Sequence, residues 1–92
     1  LNLFVVFDVI YKEKNLTKAG QVLGITQPAV SNALSRLREE FKDQLFVRTS
    51  KGMIPTPVAQ NMIDDIRQAL ELIRNSITDS ESFNPKTAKN IA

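Results

Sequence analysis

The 92-residue chain has no cysteine and no histidine. The absence of cysteine excludes disulfides and thiol nucleophiles, and without either residue there is no zinc site of the Cys/His kind. The absence of histidine removes the commonest general base. We therefore expect no cofactor, no metal and no enzyme active site, and we interpret Asp64 and Asp65 as solvated charges on a helix face. A chain without cysteine also fits a reducing cytoplasm.

The chain also lacks any apolar run near the roughly 18 residues of a membrane-spanning helix, so we expect no membrane partner. Its composition, 42% hydrophobic and 24% charged, is that of one small globular domain. The net charge is only +2, but residues 1–56 hold eight Lys/Arg against five Asp/Glu, and residues 57–92 hold four against five. A basic front favours an anionic partner for that part of the chain.

The spacing of apolar residues at three and four positions predicts three short helices in the first 41 residues. Asn15 can cap the second helix, which Gly24 ends in a left-handed C-cap. Thr26 can cap the third helix, with Pro28 in its first turn, where a missing N–H costs nothing. The apolar positions are Leu3, Phe4, Phe7, Ile10 and Tyr11, then Leu16, Ala19, Val22 and Leu23, then Val30, Leu34, Leu37 and Phe41.

Helices two and three, with the short turn between them, have the pattern of a helix-turn-helix. Polar side chains that can bond base edges or phosphates occupy the outward and flanking positions of helix three, and the acids Glu39 and Glu40 are confined to its far end. The alternative is three packed helices of any small α domain. The polar positions are Gln27, Ser31, Asn32, Ser35 and Arg36.

After Asp43 the pattern changes to β-forming residues around a turn at Ser50-Lys51-Gly52. This predicts a short two-stranded hairpin with Arg48 and Lys51 near its tip. These two cations are either ordinary solvated surface or a wing that reaches neighbouring DNA phosphates or the minor groove. A helix-turn-helix directly before the hairpin favours the wing.

Thr56-Pro57 predicts the start of a long helix over residues 57–78. Its apolar residues repeat at intervals of four and three for nearly three heptads, which favours dimerisation through this helix. The alternative is a helix docked on its own domain. Asp64 with Arg67, and Glu71 with Arg74, are expected to pair on the exposed face. The predicted dimerisation residues are Ala59, Met62, Ile63, Ile66, Ala69, Leu70, Ile73 and Ile77.

Four motifs occur in order at fixed spacing: Asn15-Leu16-Thr17-x-Ala19, Thr26-Gln27-Pro28-Ala29-Val30-Ser31, Leu45-Phe46-x-Arg48 and Pro55-Thr56-Pro57. Over residues 1–78 the chain thereby resembles the N-terminal DNA-binding domain of bacterial LysR-type transcriptional regulators, and within that family most closely the branch of the NodD and LeuO regulators. Gly20 stands where the family usually has alanine, which should cost about 1 kcal/mol of helix stability unless packing requires glycine.

The resemblance implies a mainly α fold, a winged helix-turn-helix with a two-stranded wing (residues 1–56) followed by a long dimerisation helix (residues 57–78). Residues 79–92, broken by Pro85, are then expected to be a flexible linker to an effector-binding domain absent from this chain, which begins with Leu and so is expected to be a fragment. The expected DNA-binding residues are Thr26, Gln27, Pro28, Ala29, Ser31, Asn32, Ser35, Arg36, Arg48, Thr49, Ser50 and Lys51.

The family's members bind double-stranded DNA in the cytoplasm, associated with the nucleoid. The resemblance therefore implies a sequence-specific transcription regulator that binds an interrupted palindromic operator as a homodimer through the linker helix. It also implies a tetramer when full length, and a small-molecule effector bound only by the absent C-terminal domain. The alternative is a coiled-coil protein-interaction module without DNA binding, which would leave the polar face of the third helix unexplained.

Overall fold

The computed structural model describes residues 2–82, with side-chain placement as far as residue 77. It contains four helices and one antiparallel hairpin, and this confirms the predicted winged helix-turn-helix. The elements are α1 (Leu3–Glu13), α2 (Leu16–Leu23), α3 (Gln27–Phe41), β1 (Phe46–Thr49), β2 (Gly52–Pro55) and α4 (Pro57–Ser82).

Local hydrogen bonds set the helix boundaries where the sequence predicted them. The Asn15 side chain accepts from the backbone N–H of Lys18 at 2.8 Å, and the Thr26 hydroxyl accepts from Ala29 at 3.3 Å. Each caps an otherwise unpaired donor in the first turn of its helix. Gly24 ends α2 in the left-handed conformation, with φ of 72°. The second and third helices are therefore joined by a tight turn.

The turn brings the backbone of α2 against the start of α3 at Gly20. A Cβ atom there would lie 2.7 Å from the carbonyl oxygen of Ile25, whose own N–H donates to the Gly20 carbonyl at 2.9 Å. The space left for a side chain is therefore too small, and packing accounts for the glycine that helix propensity alone disfavours.

The core forms between α1, α2, α3, the base of the hairpin and the first half of α4. Val22 is a correction to the predicted apolar faces, because it is 60% exposed on α2, whereas Val6 and Ala33 are buried. The buried residues are Val6, Phe7, Ile10, Leu16, Ala19, Val30, Ala33, Leu34, Leu37, Leu45, Phe46, Met53, Ala59, Ile63 and Ile66.

The hairpin pairs Phe46 with Pro55 and Thr49 with Gly52 in antiparallel register. Its second strand lies against the loop between α1 and α2, where the N–H of Met53 donates to the Lys14 carbonyl at 2.9 Å. Gly52 has φ of 105°, and a Cβ atom there would lie 2.5 Å from the same carbonyl oxygen. Both the backbone conformation and the close approach therefore require glycine.

Asp43 joins the loop before the hairpin to the start of α4. One of its carboxylate oxygens accepts from the Thr56 hydroxyl at 2.7 Å and from the Leu45 N–H at 2.9 Å. The Thr56 hydroxyl oxygen in turn accepts from the Ala59 N–H at 3.2 Å. The two bonds that the Asp43 carboxylate accepts lower its pKa below the ordinary value, and the bond from Thr56 has a larger effect than the bond from Leu45.

Helix α4 differs from its prediction in three ways. It continues to Ser82, beyond the predicted end at residue 78, because residues 79–82, which we expected to be linker, contain no glycine or proline to interrupt it. The rest of the predicted linker, residues 83–92, lies outside the described residues. Arg67 pairs with Asp8 of α1 at 2.8 Å, not with Asp64, whereas the Glu71–Arg74 pair forms at 2.7 Å. The first half of its apolar stripe packs into the domain core.

None of the helices within residues 2–82 is both long and apolar enough to cross a membrane.

Replacing Gly52 by alanine should lower the free energy of unfolding by about 2 to 4 kcal/mol, because it adds backbone strain and a clash with the Lys14 carbonyl. Gly24→Ala is the matched control: its φ is also positive, but no atom lies within 4 Å of the added Cβ. It should cost about 1 kcal/mol. Urea denaturation measures both, and equal losses would mean that the contact with Lys14 contributes nothing.

Asp43 should make stability depend on pH on the acid side. Because its pKa is lowered in the folded state, its contribution is present above the ordinary Asp pKa of about 3.9 and is lost as the pH falls through the folded value. The stability difference between the wild type and Asp43→Asn should thus shrink as the pH falls from 6 to 3. The exposed Asp64→Asn is the control. A difference that stays constant with pH would exclude a role for the Asp43 charge.

Candidate nucleic-acid interface

The N-terminal half of α3 presents the predicted polar residues at the surface. Gln27, Ala29 and Ser31 are half-buried. The hydrophobic face of the same helix, from Val30 to Leu37, holds it on the core, so the polar face is directed outward. The exposed members of the predicted set on this helix and its cap are Thr26, Pro28, Asn32, Ser35 and Arg36.

Gln27 is oriented by a contact within the helix. Its amide nitrogen donates to the Ser31 hydroxyl at 3.0 Å, one turn further along. This bond uses one of the two amide N–H groups, so the other N–H and the carbonyl oxygen can still bond an adenine edge in the bidentate manner of glutamine. The role of Ser31 within the protein is therefore to orient the Gln27 side chain.

The hairpin places Arg48, Thr49, Ser50 and Lys51 at the surface, all exposed. Thr49 has a second function, because its hydroxyl donates to the Gly52 carbonyl at 2.9 Å and accepts from the Lys51 N–H at 3.1 Å. Thr49 thus closes the turn, and Arg48 and Lys51 are the cations that the hairpin offers to an anionic partner.

Two polar clefts lie between the hairpin and the helix-turn-helix. One, of about 220 Å³, is lined by Ser31, Ser35, Arg38 and Arg48 together with three apolar residues. Neither cleft has a carboxylate in its lining, so nothing there repels a phosphate backbone. The other, of about 130 Å³, is lined by Lys14, Asn15, Leu16, Thr17, Gln27, Arg48, Gly52 and Met53.

Arg48 therefore lies where the third helix and the wing meet, and Lys51 stands apart at the hairpin turn. Lys14, Thr17 and Arg38 also belong to this surface, although they were not among the predicted DNA-binding residues. Lys14 and Thr17 flank the predicted cap Asn15, a polar sequence beside a helix start that could have indicated them. Arg38 gave no such signal, because its partners lie six and eight residues further along the chain.

The predicted dimerisation stripe divides into two parts. Ala59, Ile63 and Ile66 are buried in this chain's own core. Within this chain they pack against α1 and the base of the hairpin, and their place in the dimer seam stays a prediction. Met62 and Leu70 are half-buried, and Ala69 is exposed.

Beyond Leu70 the apolar residues of α4 have no cover from the described residues. Leu72, Ile73 and Ile77 are 68%, 51% and 57% exposed. Towards the domain, an open groove of about 340 Å³ continues this surface. Its lining includes Phe4 and Phe41, two of the predicted apolar positions of α1 and α3, and also Asn61, Met62, Asp65, Ile66 and Ala69.

Comparison with known proteins finds a matching family, related proteins and similar solved structures. The family described as "Bacterial regulatory helix-turn-helix protein, lysR family" matches residues 1–60. The transcriptional activator NagR of Ralstonia is 48% identical over 85 residues, which are 92% of this chain and 28% of NagR. The transcriptional regulator LeuO of Escherichia coli is 45% identical over 91 residues, 99% of this chain and 29% of LeuO. The chain thus spans less than a third of either relative.

Two of the solved structures with the same fold illustrate the similarity. A probable transcriptional regulator from Pseudomonas aeruginosa, PA0477, superposes with a TM-score of 0.79 at 36% identity, over 83% of this chain and 26% of that one. The BenM DNA-binding domain, in a complex with catB site 1 DNA, superposes with a TM-score of 0.83 at 25% identity, over 90% of this chain and 96% of that one. By its family match and its relatives, this chain belongs to the LysR family of bacterial regulatory helix-turn-helix proteins.

Proposed function

We propose that this chain is the DNA-binding part of a bacterial transcription regulator, with α3 in the major groove and the hairpin on the adjacent backbone. The observation that carries the proposal is the shared surface of helix and wing: Gln27, Ser31 and Ser35 of α3 line the same clefts as Arg48 of β1. A groove-binding helix beside a cationic hairpin matches the geometry of winged DNA readers. The BenM domain, which has this fold, was solved on DNA.

Within this surface we assign base reading to the start of α3. Gln27 is the main reader, because Ser31 orients its amide and leaves the groups that bond an adenine edge. Asn32 and Arg36 are exposed on the same helix and can bond neighbouring bases or phosphates. Arg48 and Lys51 contribute phosphate contacts, which add affinity for any duplex but carry no sequence information.

We further propose that two copies pair through α4 to bind an interrupted palindrome, one α3 in each half-site. The support is the apolar surface of Leu72, Ile73 and Ile77 beyond the domain, continuous with the groove around Phe4, Phe41 and Met62. An exposed apolar strip of this length on a 26-residue helix is typical of an interface. A second copy carries the same strip and forms a self-complementary contact.

In the longer protein implied by its relatives, a C-terminal domain would bind a small-molecule effector and join dimers into a tetramer. We place the protein in the cytoplasm, on the nucleoid, because its proposed partner is chromosomal DNA. The alternative, an interaction module without DNA binding, predicts no affinity for duplexes. Fluorescence anisotropy with a duplex selected by this chain from a randomised library, at two salt concentrations, distinguishes the two functions.

Gln27→Ala should reduce the preference for the selected duplex over a scrambled one by about one to two orders of magnitude, because a bidentate base contact contributes roughly 1–3 kcal/mol of discrimination. Gln68→Ala, which removes an exposed glutamine on α4, is the matched control and should leave the preference unchanged. Equal losses of Gln27→Ala on both duplexes would assign Gln27 to the backbone and leave Asn32 as the reader.

Ile73→Glu with Ile77→Glu should convert the dimer to a monomer, because burying the exposed half of each isoleucine contributes about 1 kcal/mol and each occurs twice in a symmetric dimer. Both side chains lie outside the core, so the domain should still fold. Val22→Glu, on an exposed apolar residue of α2, is the control. Light scattering measures the mass, and a double variant that stays dimeric would place the interface elsewhere.

A further inference from the structure

The hairpin is held to the rest of the domain along both of its outer edges. On the β2 edge, the Met53 N–H donates to the backbone carbonyl of Lys14. On the β1 edge, the partner is a side chain: the Arg38 guanidinium of α3 donates from Nη2 to the Phe46 carbonyl at 2.8 Å. Besides the packing of Phe46 in the core, the wing is therefore hydrogen-bonded on one edge to backbone and on the other to a single arginine.

Arg38 makes two such bonds at once. Its Nε donates to the Gln44 carbonyl at 2.7 Å, in the loop that leads into β1. The planar guanidinium suits two donors to two nearby acceptors, and a lysine ammonium has no equivalent fork. The Phe46 carbonyl points away from the partner strand, because Phe46 and Pro55 form a pair that exchanges no backbone hydrogen bond; the bond of the neighbouring pair runs from the Thr56 N–H to the Leu45 carbonyl. Arg38 satisfies a carbonyl that would otherwise lack a protein partner there.

By holding β1 at Phe46, Arg38 also affects the position of Arg48 on the same strand. Residues two apart in a strand point to the same face, so the position of β1 against α3 determines where the Arg48 side chain lies. Arg38 and Arg48 line the same cleft with Ser31 and Ser35 of α3. Loss of the two Arg38 bonds would therefore free the wing cation from its place beside the third helix.

We propose that Arg38 is a positioning residue for DNA binding, which locks the wing to the third helix so that Arg48 and Gln27 meet one duplex together. The inference rests on the proposed DNA-binding function. It assigns Arg38 an effect on affinity that passes through Arg48, rather than a contact of its own with a phosphate. The two roles differ in whether the effect of Arg38 survives the removal of Arg48.

A double-mutant cycle distinguishes the positioning role of Arg38 from a direct contact with DNA. Anisotropy titrations with the library-selected duplex compare Arg38→Met in the wild type and in Arg48→Ala. The expected result is an affinity loss of about tenfold in the wild type and of less than about twofold in Arg48→Ala, since the wing cation is already gone. The same tenfold loss in both backgrounds would overturn the proposal and make Arg38 an independent contact.

Arg36→Met is the matched control, because Arg36 is an exposed arginine on the same helix. This variant should lose the same affinity in the wild type and in Arg48→Ala. Arg38→Lys is the second variant, which keeps the charge without the fork. It should lose affinity as Arg38→Met does, whereas wild-type affinity would overturn the proposal. Thermal unfolding verifies that each variant is folded at the assay temperature.

Different results would show that the role of Arg38 is wrong and that the proposed DNA-binding function is wrong. If the wild type binds the selected duplex but the cycle is additive, only the role of Arg38 is wrong. If the wild type does not distinguish the selected duplex from a scrambled one and shows no salt-dependent affinity, the proposed function is wrong, and the proposal for Arg38 is overturned with it.

Discussion

The packing of Phe7 of α1 against Phe46 of β1, with ring centroids 5.1 Å apart, joins the helices to the wing. Both rings are fully buried, and Tyr11 contacts each of them at about 6 Å between ring centroids. On its other side Tyr11 meets the Arg67 guanidinium of α4, 5.4 Å from the ring centre. Helix α1 and strand β1 thus form one aromatic cluster, which Arg67 of α4 contacts, and the position of each element depends on the others.

This cluster explains how so small a domain can hold two recognition elements rigidly. The third helix is fixed by its apolar face, and the base of the hairpin by Phe46 and Leu45. Several polar residues on the candidate interface form hydrogen bonds within the protein itself. Ser31 fixes Gln27, Thr49 closes the wing turn and Arg38 holds β1, so their contacts prepare the shape of the surface.

Helix α4 serves two purposes along its length. Its first half completes the core through Ala59, Ile63 and Ile66, and Arg67 fastens it to Asp8. Its second half leaves Leu72, Ile73 and Ile77 exposed. Because the first half is anchored on the domain, the direction of the second half is set by the domain. Under the proposed dimer, this anchoring would determine the distance between the two third helices on DNA.

The sequence by itself determined the helices, their caps and the hairpin, because these depend on local signals: apolar spacing, Asn15, Thr26 and Gly24 at helix ends, and Gly52 at the turn. It also indicated the polar face of α3, since a helix with one apolar stripe must direct the opposite face outward. Only the tertiary structure decided which apolar residues were already covered. Ile66 and Ile73 lie on one heptad stripe, yet only Ile66 meets α1 and the core. Likewise, Arg67 pairs with Asp8 rather than with Asp64, and Arg38 holds the wing, because these partners are brought together by the packing of whole elements, which no local spacing encodes.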